Sequence, residues 1–243
     1  MIKISKILFV VVALLLNFAC NKNKKESAAI LYLEAHELLK DKDYQTAAEK
    51  FEKIIDDYPF SEWGIEGQVM AVYARYKNDD YIDMVSNIDN FVSLNPNNEY
   101  VDYLLYMKGI AYYNQIPNIH RAQNITQESL DVFSNLINRF PVSKYSLDAQ
   151  EKLPFIIEHI AGSYMEKARF QAQQNNFSGA INNFLTVIND YPNTGQVAEA
   201  YYRLAEIYQK LGVKFLADLA ILNLKQKHSN SFWFELAQNE LAK

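Results

Sequence analysis

The sequence predicts an all-α protein, a right-handed superhelix of about five helix–turn–helix repeats closed by a C-terminal capping helix. Three observations carry that reading. Apolar residues at helical i, i+3, i+4 and i+7 steps run up to a residue–proline stop, and this pattern occurs four times. Seven Gly and six Pro are too few for a turn-rich β protein. Counting back from each proline gives helix–turn–helix units close to the 34-residue period of tetratricopeptide repeats.

The units follow in order, with the repeat domain placed at 28–243 and repeats near 28–61, 65–98, 100–143, 146–194 and 197–230. In the first, Ala28–Lys40 is helix A, Asp41-Lys42-Asp43 the turn and Tyr44–Asp57 helix B. Tyr44, Ala47, Ala48, Phe51, Ile54, Ile55 and Tyr58 line one face of helix B, and Pro59 ends it because its ring cannot continue a helix. Ala35 and Ala47 allow the paired helices to approach closely, and Phe51 fills the space beside them. The second unit has helix A to Lys77, a turn at Asn78-Asp79-Asp80, and Met84, Val85, Ile88, Phe91 and Val92 before Pro96.

The third unit has helix A over Tyr100–Asn114, with Gly109 and Ala111 at the crossing. Gln115–Gln123 interrupts the periodicity and reads as an ordered loop before the stretch Thr126–Phe140 and Pro141. The fourth opens with a long helix from near Ser146 toward Gln174, kinked at Pro154 and carrying Ala168 at its crossing, and closes at Tyr191-Pro192. The fifth keeps its periodicity through Ala205, Tyr208, Ala217, Ile221 and Leu224. Phe232–Lys243 supplies the capping helix that a repeat array needs at its end.

Ahead of the repeats, Lys3 and Lys6 precede an unbroken apolar run, Ile7–Leu16. That run is too short to span a bilayer, which takes ~20 apolar residues, and suits the core of a secretory signal over 1–19. Cys20, the only cysteine, follows Ala19 at the cleavage position and cannot form an internal disulfide. This order is similar to that of bacterial lipoproteins, in which such a cysteine is acylated and becomes the mature N-terminus. Residues 20–27 then form a polar, lipidated tether.

With residues 1–19 set aside, 22 basic residues stand against 29 acidic ones, which gives no basic stripe for nucleic acid. No phosphate loop, His-Glu-x-x-His or Gly-x-Ser-x-Gly motif is present, and His36, His120, His159 and His228 are scattered over separate units. The expectation is therefore no enzyme, no metal and no cofactor. The acid-rich turns at Asp41–Asp43 and Asn78–Asp80 lack the spacing of a calcium loop and suit helix capping.

A binding surface is the better expectation. The inward-facing positions of the A helices are Tyr32, His36, Leu39, Val69, Tyr73, Tyr76, Tyr103, Tyr106, Ile110 and Tyr113, six of them Tyr. Tyrosine offers flat apolar area with a polar tip and little entropy to lose, which suits recognition of extended peptides. The groove candidates are Tyr32, His36, Tyr73, Tyr76, Tyr103, Tyr106 and Tyr113. Tyrosine at this spacing also serves an inter-repeat core, and spacing alone does not separate the two.

Three segments sharpen this into a family. Asp57–Trp63, the run Tyr103-Leu104-Leu105-Tyr106-Met107-Lys108-Gly109, and Arg139–Ala149 resemble the BamD/ComL family of lipoproteins of the outer-membrane β-barrel assembly machinery. The likeness spans the mature chain. It implies a non-catalytic, periplasmic scaffold on the outer membrane, anchored through lipid, with a β-barrel assembly protein and its accessory lipoproteins as partners. It also implies that the N-terminal half receives the aromatic targeting ends of unfolded outer-membrane proteins. The loop residues His120, Arg121 and Gln123 become partner-contact candidates, with Ala122 standing where the family carries an acid. The competing expectation is a periplasmic adaptor for cell-wall or division enzymes.

Overall fold

The four A-to-B turns that lack an insert share one backbone device. Lys42, Asp79, Asn175 and Gly212 each take a left-handed conformation, with φ between 56° and 72°. In three of them the next residue's N–H reaches back to a carbonyl five residues earlier: Asp43 to Leu38, Asn176 to Gln171 and Val213 to Tyr208, each at 2.9 Å. That closes the orphan carbonyls at the end of each A helix. The following residue then caps helix B: the side chains of Asp43, Asp80 and Asn176 accept from the backbone N–H groups of Thr46, Asp83 and Gly179. The acidic turns are helix caps.

The structure, a computed structural model, describes residues 27–59 and 61–241. Eleven helices lie among them: α1 Ala28–Lys40, α2 Tyr44–Asp57, α3 Glu62–Lys77, α4 Tyr81–Leu94, α5 Val101–Asn114, α6 Asn124–Arg139, α7 Lys144–Gln173, α8 Phe177–Asp190, α9 Val197–Lys210, α10 Lys214–His228 and α11 Phe232–Glu240. No strand occurs among the described residues. Each residue preceding a proline at the end of α2, α4, α6 and α8 has left the α region, with φ from −127° to −141° and ψ from 48° to 59°, in keeping with the clash that proline's ring makes with a helical neighbour. The signal segment, Cys20 and the tether up to residue 26 lie outside the described residues.

The chain divides into two compact units, one ending at Asp79 and one beginning at Asp80. In the first, α1, α2 and α3 enclose Leu31, Ala35, Ala47, Ala48, Phe51, Ile54, Ala71 and Ala74. Arg75 lies buried there, with Nε and Nη2 donating to the two carboxylate oxygens of Glu52 at 3.0 and 2.8 Å.

In the second unit, α7 to α11 surround a core centred on Met165, Phe184, Val187, Tyr202, Leu204 and Leu224. Small residues twelve positions apart (Ala168 and Ala180, Ala205 and Ala217) are fully buried, as are Ala35 and Ala47 in the first unit. At the α5–α6 crossing glycine is needed, because a Cβ on Gly109 would stand 2.3 Å from Cε1 of Phe133. Helix α7 runs through Pro154 without ending.

Candidate functional site

The aromatic side chains of α5 and α7 form a strip of two ring clusters within the second unit. Tyr106 stacks on Tyr145 with ring centroids 5.3 Å apart, and Tyr103 meets the same ring at 5.3 Å. Farther along, Tyr113 meets Phe155 edge-on at 5.7 Å, and Phe155 meets His159 at 5.7 Å. The register follows from spacing: Tyr103 and Tyr113 are ten residues apart on α5, as are Tyr145 and Phe155 on α7. Side by side, the two helices therefore present rings at the same two levels, about 15 Å apart at a 1.5 Å rise. All are half-buried except Phe155, which is 51% exposed.

Between the two ring clusters lies a charged bridge. Lys152 pairs with Asp148 at 2.7 Å, and the Tyr106 hydroxyl donates to the same carboxylate at 2.7 Å. The Lys152 hydrogen bond, with that of Tyr106 in support, holds the Asp148 carboxyl below the usual carboxylate range. The Lys152 ammonium also lies 5.8 Å from the Tyr113 ring centre.

The middle of α7 fixes two loops beside the strip. His159 Nε2 donates to the Pro117 carbonyl at 2.7 Å, which sets the proton on that nitrogen. Glu158 accepts from the backbone N–H of Gly195 at 3.0 Å and from the Gln196 side chain at 2.8 Å. The insert loop 115–123 also closes on itself, since Gln123 donates to the carbonyls of Asn118 and Arg121 at 3.0 Å and accepts from Thr126. Gln123 thus spends its amide on the loop. His120 lies 3.6 Å from Glu166, and Arg121 is exposed.

A ladder of ion pairs continues from there along α7 and α9. Glu166 and Glu199 hold Arg169, with its Nη1 2.9 Å from Glu199, and Glu199 with Glu206 holds Arg203 at 3.3 and 2.8 Å. Burial alone would lower both guanidinium pKa values, but these carboxylates outweigh it and raise them. The Arg203 guanidinium also lies over Tyr202 and Trp233, at 5.4 and 5.2 Å. Burial pushes the Tyr202 hydroxyl up, helped by its 2.9 Å bond to Glu240 on α11.

In the first unit, Tyr32 lies within 5.1 Å of His36 and 5.0 Å of Trp63, with Phe51 edge-on at 5.5 Å. Tyr73, 37% exposed, and the half-buried Tyr76 lie farther along α3. Two positions assigned to the inward face, Val69 and Ile110, are instead buried at 8% exposure, because the inter-helix seam is wider than one residue per turn. Tyr145, Phe155 and Trp63 were missed by sequence reasoning. The matching ten-residue spacing on α5 and α7 was the signal for the first two.

The sequence profile described as YfiO, outer membrane lipoprotein, matches residues 24–221. The outer membrane protein assembly factor BamD of Rickettsia prowazekii is 33% identical over 241 residues, covering 97% of this chain and 96% of that protein. The factor of the same name from Vibrio cholerae is 32% identical over 193 residues, 75% of this chain and 80% of its own length. That of Caulobacter vibrioides is 29% identical over 184 residues, 76% of this chain and 60% of its own. These relatives are named as assembly factors rather than enzymes, in keeping with a helical-repeat chain without a catalytic motif. The chain belongs to the YfiO family of outer membrane lipoproteins.

Proposed function

We propose that this chain is a non-catalytic assembly factor for outer-membrane proteins, held at the periplasmic face of the outer membrane by acyl chains on Cys20. In this reading the tether 20–27 carries a repeat domain over 28–243. That domain binds a β-barrel assembly protein with its accessory lipoproteins. His120 and Arg121, at the rim of the insert loop, are offered to those partners. The likeness to assembly factors across nearly the whole length of the Rickettsia protein supports the role.

The observation that carries the working surface is the two-level aromatic strip of α5 and α7. An extended chain advances about 3.3 Å per residue, so among side chains on one face of an extended segment those at i and i+4, about 13 Å apart, come nearest to levels about 15 Å apart. Such side chains share a face, and aromatic ones would stack on both clusters. Segments of unfolded outer-membrane proteins that alternate in polarity fit that spacing. Tyr32, His36, Tyr73 and Tyr76 offer a second aromatic surface in the first unit.

Extraction in mild detergent followed by affinity purification tests the role. Recovery of a β-barrel assembly protein with this chain is the expected result. Its absence, or recovery of cell-wall or division enzymes instead, would overturn the proposal.

A further inference from the structure

The geometry points to a membrane-contact patch at the N-terminal end of α1, an inference that rests on the proposed acylation of Cys20. One side of α1 is built into the first unit through Ala28, Leu31 and Ala35, all buried. The opposite side divides along its length. Toward the N-terminus it presents Ala29, Ile30 and Leu33, the last two 50% and 64% exposed. Beyond Leu33 it becomes ionic: Glu34 pairs with Lys50 on α2, and Glu37 with Lys40. Apolar surface is thus concentrated at the end nearest the tether.

The tether decides what covers that end. Six residues lie between Cys20 and Ser27, seven steps along the chain. A span of that length reaches at most about 25 Å. An acylated Cys20 therefore keeps the start of α1 at the membrane surface. Within the same span Lys22, Lys24 and Lys25 stand against a single acid, Glu26. That excess suits anionic phospholipid headgroups, and the partial positive charge at the N-terminus of α1 adds to it. Ile30 and Leu33 then enter the headgroup boundary, while the ion pairs at the far end of the helix stay in water. The occupant is a bilayer surface carrying anionic phospholipid, and the patch orients the first unit on it.

The test uses the mature full chain with Cys20→Ser, which carries no acyl group, and flotation with phosphatidylcholine vesicles with or without phosphatidylglycerol. The expected result is flotation with the anionic vesicles that weakens with salt and falls at least about fivefold in Ile30→Glu/Leu33→Glu. Ile30→Ser/Leu33→Ser serves as the milder variant, with helical circular dichroism confirming that either pair folds. No flotation on the anionic vesicles, or equal flotation of the folded double variants, would overturn the patch. Acylation is read separately, by mass spectrometry of the wild-type chain extracted from membranes, so failure of one leaves the other standing.

Discussion

Gly109→Ala should destabilise the second unit although it replaces a helix breaker with the best helix former. The added Cβ would stand 2.3, 2.5 and 2.9 Å from Cε1, Cδ1 and Cζ of Phe133, a ring with no solvent exposure. Overpacking of this kind costs about 1–3 kcal/mol, and Gly-to-Ala propensity returns about 1 kcal/mol at most. Three contacts under 3.0 Å place the cost in the upper part of that range, about 2–3 kcal/mol, so the net loss is about 1–2 kcal/mol, or about 3–6 °C in Tm for a unit of this size. Urea unfolding followed by Trp233 emission in a Trp63→Phe background reads the second unit alone. Phe133→Leu, which clears the clash, should make the pair less than additive by about 1 kcal/mol. A neutral or stabilising Gly109→Ala that adds to Phe133→Leu would refute the crossing geometry.

Further outcomes follow from the same structure. Glu199→Gln removes the carboxylate shared by Arg169 and Arg203, and should lower the stability of the second unit by about 1 kcal/mol in urea melts, because each guanidinium is partly exposed and keeps a second carboxylate in Glu166 or Glu206. Lys42→Gly should raise the stability of the first unit by about 0.5 kcal/mol in urea melts, since a left-handed φ of 64° strains a residue with a side chain. The folded pKa of Asp148 is depressed, so its contribution is full above the unfolded value of about 3.9 and is lost as pH falls through the folded one. Burial, with Lys227 nearby, also depresses His228, so its contribution is present above about 6.5 and lost on acidification. A pH series of melting curves should therefore decline on the acid side, and Asp148→Asn should flatten the lower limb.

The repeats were legible because their signals are local. Each residue–proline stop acts through its own ring, and each crossing pair through small side chains at fixed offsets, so helix ends fell within a few residues of those expected. The turn conformation at Lys42 was not legible, because lysine carries no preference for positive φ and is placed there by the carbonyls it must satisfy. In the site, the α5 tyrosines were found from one helix at a time. Tyr145 and Phe155 escaped because their meaning comes from a neighbour on another helix, and Tyr145 also because the helix starts at Lys144, ahead of the expected Ser146. Gln123, a partner-contact candidate through the resemblance of its loop, also carries a structural role that one sequence does not display, since its amide donates to two carbonyls of that loop.

The most direct test of the working surface is titration of a labelled synthetic peptide bearing aromatic residues at i and i+4 against the wild-type chain and Phe155→Ala. Phe155 is 51% exposed, so its removal should leave Tm within about 2 °C, while the loss of one stacking level weakens binding about tenfold. A peptide with the same residues moved to i and i+3 should bind more weakly to the wild type, because alternate side chains of an extended segment then face away. Equal affinity for both peptides, or for both proteins, would contradict the two-level strip.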